Sequence, residues 1–176
     1  AESRPWQARL YTSFQEGKYL IRSGQLIHRR FLVRLGACDD AASLASWLEN
    51  PLLPQAPAEY LCSTGVLGRA LPAAGLQSAD YDAWFQRNFE RYEENCAANR
   101  SLGVMHYGDW FGERGLNYGN NEYDLPWGLA VQWMRTGNRA YFDRGLAMAL
   151  HYCSIDTLHG RAAETARGLC WEHSFN

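Results

Sequence analysis

The stretch from His106 to Asp124, HYGDWFGERGLNYGNNEYD, gathers the side chains best suited to moving protons or holding charge. Its acids are Asp109, Glu113, Glu122 and Asp124, its amides Asn117, Asn120 and Asn121, its arginine Arg114 and its histidine His106. Tyr107, Trp110, Phe111, Tyr118 and Tyr123 are interleaved with them, and four glycines punctuate the run every three or four residues. No helical or alternating apolar period runs through it, so neither an ordinary helix nor an ordinary strand is expected. The aromatic content argues against a disordered linker. The expectation is an ordered, irregular loop that displays polar groups on an aromatic floor, a kind of segment that often carries binding and catalysis.

Three chemistries suit these residues. Two of the four carboxylates could serve as general acid and base on a glycosidic bond, where their separation sets the stereochemical outcome. The same oxygens could instead hold a divalent cation such as calcium. Neither use has a fixed sequence spacing. The third is proton removal next to a carboxylate, which needs donors to neutralise the charge that builds there. Asn117, Asn120, Asn121, Arg114 and a protonated histidine are such donors, and Tyr107, Tyr118, Tyr123 or a histidine can carry the proton. Together they are a toolkit for β-elimination of a uronic acid glycoside. Asn117 and Asn120 serve equally well to hold left-handed turns. Further along, Asp156 and His159 could pair on a metal, against the simpler reading of Asp156 as a local backbone cap.

The elements that must position these groups are read from the whole chain. Its 176 residues suit one core-forming unit, and a charge of −2 leaves no electrostatic footprint for nucleic acid or an anionic membrane. Lys18 is the only lysine, so nearly all positive charge is guanidinium, which suits carboxylate partners. Seven Trp and ten Tyr would suit either a sugar cleft or a large core. Cys38, Cys62, Cys96, Cys153 and Cys170 show no CxxC and no zinc spacing, so free thiols are the default. No apolar run is long enough to span a bilayer. Both ends look cut, which suggests a piece of a longer protein, with the rest of its own chain as one missing partner.

From Trp6 to Leu35 the pattern is strand-like: Arg9–Phe14, Lys18–Arg22 and Ile27–Leu35, with Phe31–Leu35 the most buried strand. Asp39 or Asp40 can cap a helix through Leu48. Pro51–Pro57 then crosses to Tyr60, and residues 61–78 read as loop or broken turns. Ser78 opens a helix whose stripe of Tyr81, Trp84, Phe85, Phe89 and Tyr92 reads as core. A helix over Pro126–Arg135, a Thr136-Gly137-Asn138 connection and a helix over Arg139–Tyr152 form an αα-hairpin. The expected inward faces are Leu125, Leu129, Gln132 and Trp133, then Phe142, Leu146, Ala149 and Leu150.

Four motifs stand in order over residues 106–159: Gly108-Asp109-Trp110, Asn121-Glu122-Tyr123-Asp124, Arg135-Thr136-Gly137 and Asp156-Thr157-x-His159. With the run Gln25–Phe31 before them, they resemble the exo-rhamnogalacturonan-lyase-like proteins. The resemblance implies a mainly helical fold: the last strands of a β-sandwich over residues 1–36, then an incomplete (α/α) toroid over 37–176. It implies a polysaccharide lyase acting on an acidic, uronate-containing polysaccharide or oligosaccharide, with no cofactor unless a divalent cation takes part. In that reading Tyr118 or Tyr123 is the acid/base, His106 and Asn121 neutralise the uronate, and Arg114 binds its carboxylate. Asp109, Trp110, Glu113, Asn117, Asn120, Glu122, Asp124 and His159 line the substrate. A glycoside hydrolase using two of the acids, and a non-catalytic carbohydrate-binding module, are the competing expectations.

Overall fold

The computed structural model describes residues 14–15, 18–19, 24–28, 32–36, 40–50, 52–66, 68–73, 79–98, 109–111, 118–120, 123–160 and 167–169. Helix dominates them. The elements are β1 (Phe14–Gln15), β2 (Lys18–Tyr19), α1 (Ala41–Glu49), α2 (Ala58–Ser63) and α3 (Ala79–Ala98). After them come β3 (Asp109–Phe111), β4 (Tyr118–Asn120), α4 (Leu125–Thr136), α5 (Arg139–His151) and a π-helical turn (Tyr152–Asp156).

Helix ends follow from local chemistry. The Asp40 carboxylate accepts from the Ser43 N–H at 3.0 Å and starts α1. Pro57 precedes α2, a short helix in a stretch that the sequence reads as loop. Pro126 sits in the first turn of α4, where its missing N–H costs nothing. At the other end Gly137 takes φ 71° and donates to Trp133 O at 2.7 Å, closing the helix through a left-handed residue. Asn138 then caps α5 by accepting from the Ala140 N–H at 3.0 Å. A Cβ on Gly137 would meet the Gln55 side chain, so the junction is tight as well as left-handed.

Helices α4 and α5 pack along their length. Gly145 lets α5 approach so closely that a Cβ there would stand 3.2 Å from Leu129 Cβ and 3.4 Å from Pro126 O. Nearer the turn, the Trp133 and Phe142 rings lie 4.9 Å apart. With Phe142 against Trp133 and Gly145 against Leu129 and Pro126, the two helices run antiparallel. The core is Leu129, Tyr141 and Met148, covered by Phe85, Phe89, Tyr92, Leu125 and Trp133.

Long side chains, rather than close backbone approach, join α3 to this pair. Phe85 and Phe89 meet the Tyr141 ring edge-on at 5.5 and 4.8 Å. Arg135 reaches Asp82 with two hydrogen bonds (2.6 and 3.1 Å), Gln132 Oε1 at 2.5 Å and Leu71 O at 2.7 Å. Tyr141 Oη donates to Gln86, and Arg144 grips Glu93 with Nε and Nη2.

Several expectations change. The stripe on α3 is core only from Phe85 onward, because Tyr81 and Trp84 are exposed. The inward face of α5 is Tyr141, Gly145, Met148 and His151, one residue away from the expected one, and Leu146 and Leu150 face outward. Residues 32–35 form no strand, and Val33 is 80% exposed where the most buried strand was expected. A strand segment gains burial only from a partner, and among the described residues this one has no ladder. Of the first two expected strands the described part is Phe14–Gln15 and Lys18–Tyr19, paired Phe14↔Tyr19 and Gln15↔Lys18. Arg9–Ser13, Leu20–Arg22 and Phe31 lie outside the described residues.

Candidate functional site

At 109–111 and 118–120, where the structure describes it, the segment 106–124 is a strand pair rather than an irregular loop. Strands β3 and β4 pair antiparallel in the register Asp109↔Asn120, Trp110↔Gly119 and Phe111↔Tyr118. Trp, Phe and Tyr favour extended backbone, and three pairs suffice for a short ladder despite the glycines. Four of the candidate residues, Asp109, Trp110, Tyr118 and Asn120, are thereby fixed on one ladder. His106, Glu113, Arg114, Asn117, Asn121 and Glu122 lie outside the described residues.

The segment ends on two well-placed candidates. Tyr123 is 75% exposed. Asp124 has φ 53° and ψ 45°, the only positive φ outside glycine among the described residues. Its carboxylate makes no capping bond, although its carbonyl accepts from the Gly128 N–H at 3.1 Å. A left-handed aspartate costs of order 1 kcal/mol, and such strain tends to gather at sites that use it. The exposed carboxylate is therefore available at the entrance of α4.

His159 lies at the far end of α5, where its ring nitrogen Nε2 is 2.5 Å from Cys153 O. Asp156, weighed as a metal partner for it, faces His151. Asp156 is completely buried against His151, with Oδ1 3.3 Å from Nε2. Next to it, the Thr157 hydroxyl donates to Tyr152 O at 2.9 Å. Among the described residues, no three His, Cys, Asp or Glu side chains gather as metal ligands.

The antiparallel helix pair decides which of these segments meet. Tyr123 and Asp124 enter α4, and the turn Tyr152–Asp156 leaves α5, so both stand at the end of the pair away from Gly137. Tyr123, Asp124 and the turn that leads to His159 therefore share one end of the hairpin, while Arg135 and Gly137 hold the other. The chain matches no family model, no curated protein and no solved structure.

Sequence reasoning missed two polar centres. Arg135 entered it only as part of a helix junction, although it is buried and bidentate on Asp82. His151 was given no role in it. The nearest signal was polarity on an apolar face, Gln132 and Arg135 on α4 and His151 on α5. A third centre lines a cleft of about 430 Å³ bounded by Phe89, Glu93, Ala140, Asp143, Arg144 and Ala147. Burial works against the Arg144 charge there, and the Glu93 carboxylate more than offsets it, leaving the guanidinium above its ordinary pKa. Arg144 is committed to Glu93, so this cleft offers no uncommitted guanidinium to a substrate. No helix of the described residues is long and apolar enough to cross a membrane.

Proposed function

We propose that this protein is a polysaccharide lyase that cleaves a uronic-acid-containing, rhamnogalacturonan-like glycan by β-elimination. In this reading α4 and α5 are one unit of an (α/α) toroid, and the sugar lies across the end of the pair that carries the His106–Asp124 segment. The observation that supports it is that Tyr123 and Asp124 stand with the His159 turn at one end of an antiparallel pair whose other end is Arg135-Thr136-Gly137. In this reading the four ordered motifs form a rim and a hinge.

The chemistry follows the donors and the proton carrier. A base takes the C5 proton beside the uronate carboxylate, the bond from C4 to the glycosidic oxygen breaks, and a 4,5-unsaturated uronate remains. Tyr118 or Tyr123 moves the proton, and His106 and Asn121 neutralise the carboxylate while Arg114 grips it. Asp109, Trp110, Glu113, Asn117, Asn120, Glu122, Asp124 and His159 line the sugar. Asp156 is not among them, because it is buried.

Incubation with acidic pectin fractions should raise the ultraviolet absorbance of the unsaturated uronate. Of Tyr118→Phe and Tyr123→Phe, the change at the proton carrier should slow the reaction about a hundredfold or more. Sugar release without that absorbance, abolished by Asp109→Asn or Glu122→Gln and untouched by the tyrosine changes, would establish a hydrolase instead. Saturable binding without turnover would establish a binding module.

A further inference from the structure

The turn after α5 carries its hydrogen bonds in an unusual way. Residues Tyr152–Asp156 form one π-helical turn, a rare form that often marks functional positions. Thr157 closes it, donating from both its N–H (3.0 Å) and its hydroxyl (2.9 Å) to Tyr152 O. The next two carbonyls are also used. Cys153 O faces the His159 imidazole at 2.5 Å, and Ser154 O accepts from the Leu26 N–H at 2.8 Å. The His159 N–H in turn donates to Gly24 O at 2.7 Å. Three successive carbonyls of one turn therefore fix where residues 24–26 and 157–159 run.

The turn runs from just after His151 to Asp156, and these two side chains lie 3.3 Å apart and fully buried. They are five residues apart, the spacing over which a π turn closes its backbone bond. A carbonyl can only accept, so His159 must present an N–H at Nε2 to Cys153. In the neutral ring Nδ1 is then the acceptor.

We infer that His151 and Asp156 are a positioning pair for His159: by closing the π turn they aim the Cys153 carbonyl, fix the Nε2–H tautomer and leave Nδ1 to accept from a hydroxyl of the bound glycan. The identity of the ligand rests on the lyase reading. The tautomer and its dependence on the buried pair do not.

Long-range proton–nitrogen NMR of the imidazoles in the whole chain tests this directly. His159 should carry its proton on Nε2, and a ring protonated mainly on Nδ1 would overturn the inference. In Asp156→Ala the tautomer preference should fade, and the Leu26 and His159 amides should exchange roughly tenfold faster or more. His151→Gln, which keeps a polar amide beside Asp156, should keep most of both. A folded Asp156→Ala chain with unchanged tautomer and exchange would overturn the positioning role. Should that variant not fold, His151→Leu replaces it, and retention of the wild-type pattern there has the same meaning. Added rhamnogalacturonan oligosaccharide should shift the His159 Nδ1 resonance, and turnover without that shift would remove the glycan contact. Absence of any turnover would sink the lyase reading while the tautomer measurements still judge the pair.

Discussion

Arg135 satisfies most of its donors at once, on Asp82, Gln132 and the Leu71 carbonyl, while its guanidinium also lies 5.4 Å over the Tyr81 ring. Breaking a buried ion pair from one side leaves the other charge stranded, so Arg135→Met should cost about 3 kcal/mol in urea unfolding. Arg139 pairs with Asp143 at 2.7 Å, but on an exposed surface at i, i+4 spacing. Arg139→Met should therefore cost less than about 0.5 kcal/mol, and equal losses would contradict the burial difference. Two tyrosines add a pH signature. Burial, reinforced by Cys96, pushes the Tyr92 phenol far above its ordinary value of 10.0, and burial with Asp82 and Glu90 raises Tyr141. The folded state keeps both protonated where the unfolded chain ionises them. Their contribution is thus complete below about pH 10 and falls as pH climbs beyond it. Tyr92→Phe should flatten that alkaline loss of stability, and an unchanged alkaline arm would count against the buried phenol.

Helix α5 shows how an element can be found and its orientation misjudged. Its limits are legible because Gly137 and Asn138 act on their immediate neighbours, as Asp40 does for α1. Its inward face is not, because Tyr141 and His151 are made acceptable inside by Gln86 and Asp156, which lie on other segments. Counting aliphatic residues selects Leu146 and Leu150, which the structure leaves near half exposed. Met148→Ala should accordingly cost about 2–5 kcal/mol. Leu146→Ala and Leu150→Ala should stay within about 1 kcal/mol of the parent chain in the same melts. The strands fail for a related reason: ladders depend on partners, so residues 32–35 look like a strand by composition and are not one. The candidate loop was legible as a concentration of chemistry. Its ladder was not, because the pairing of Asp109 with Asn120 depends on register rather than on residue type.

At the scale of the molecule, apolar side chains outside the core are the main liability. Leu35, Trp47, Leu52 and Val66 are all at least 74% exposed. Exposed apolar surface of this kind favours association, so sedimentation velocity should show concentration-dependent growth, reduced by Trp47→Ser with Leu52→Ser. A single species at all concentrations would show that these residues make no contact between molecules. The helices themselves are joined far more selectively. Asp82, Gln86 and Glu93 along α3 meet Arg135, Tyr141 and Arg144. Sliding α3 by one turn, about 5.4 Å, would set Gln86 against Arg135 and Ala97 against Arg144 in one direction, and Phe89 against Arg144 in the other. No neighbouring alignment reproduces an acid, an amide and an acid at those three stations. The helix therefore works like a ruler with three unequal marks: it can be laid against its neighbours in one position only, and a displaced copy announces itself by a charge with nothing to read.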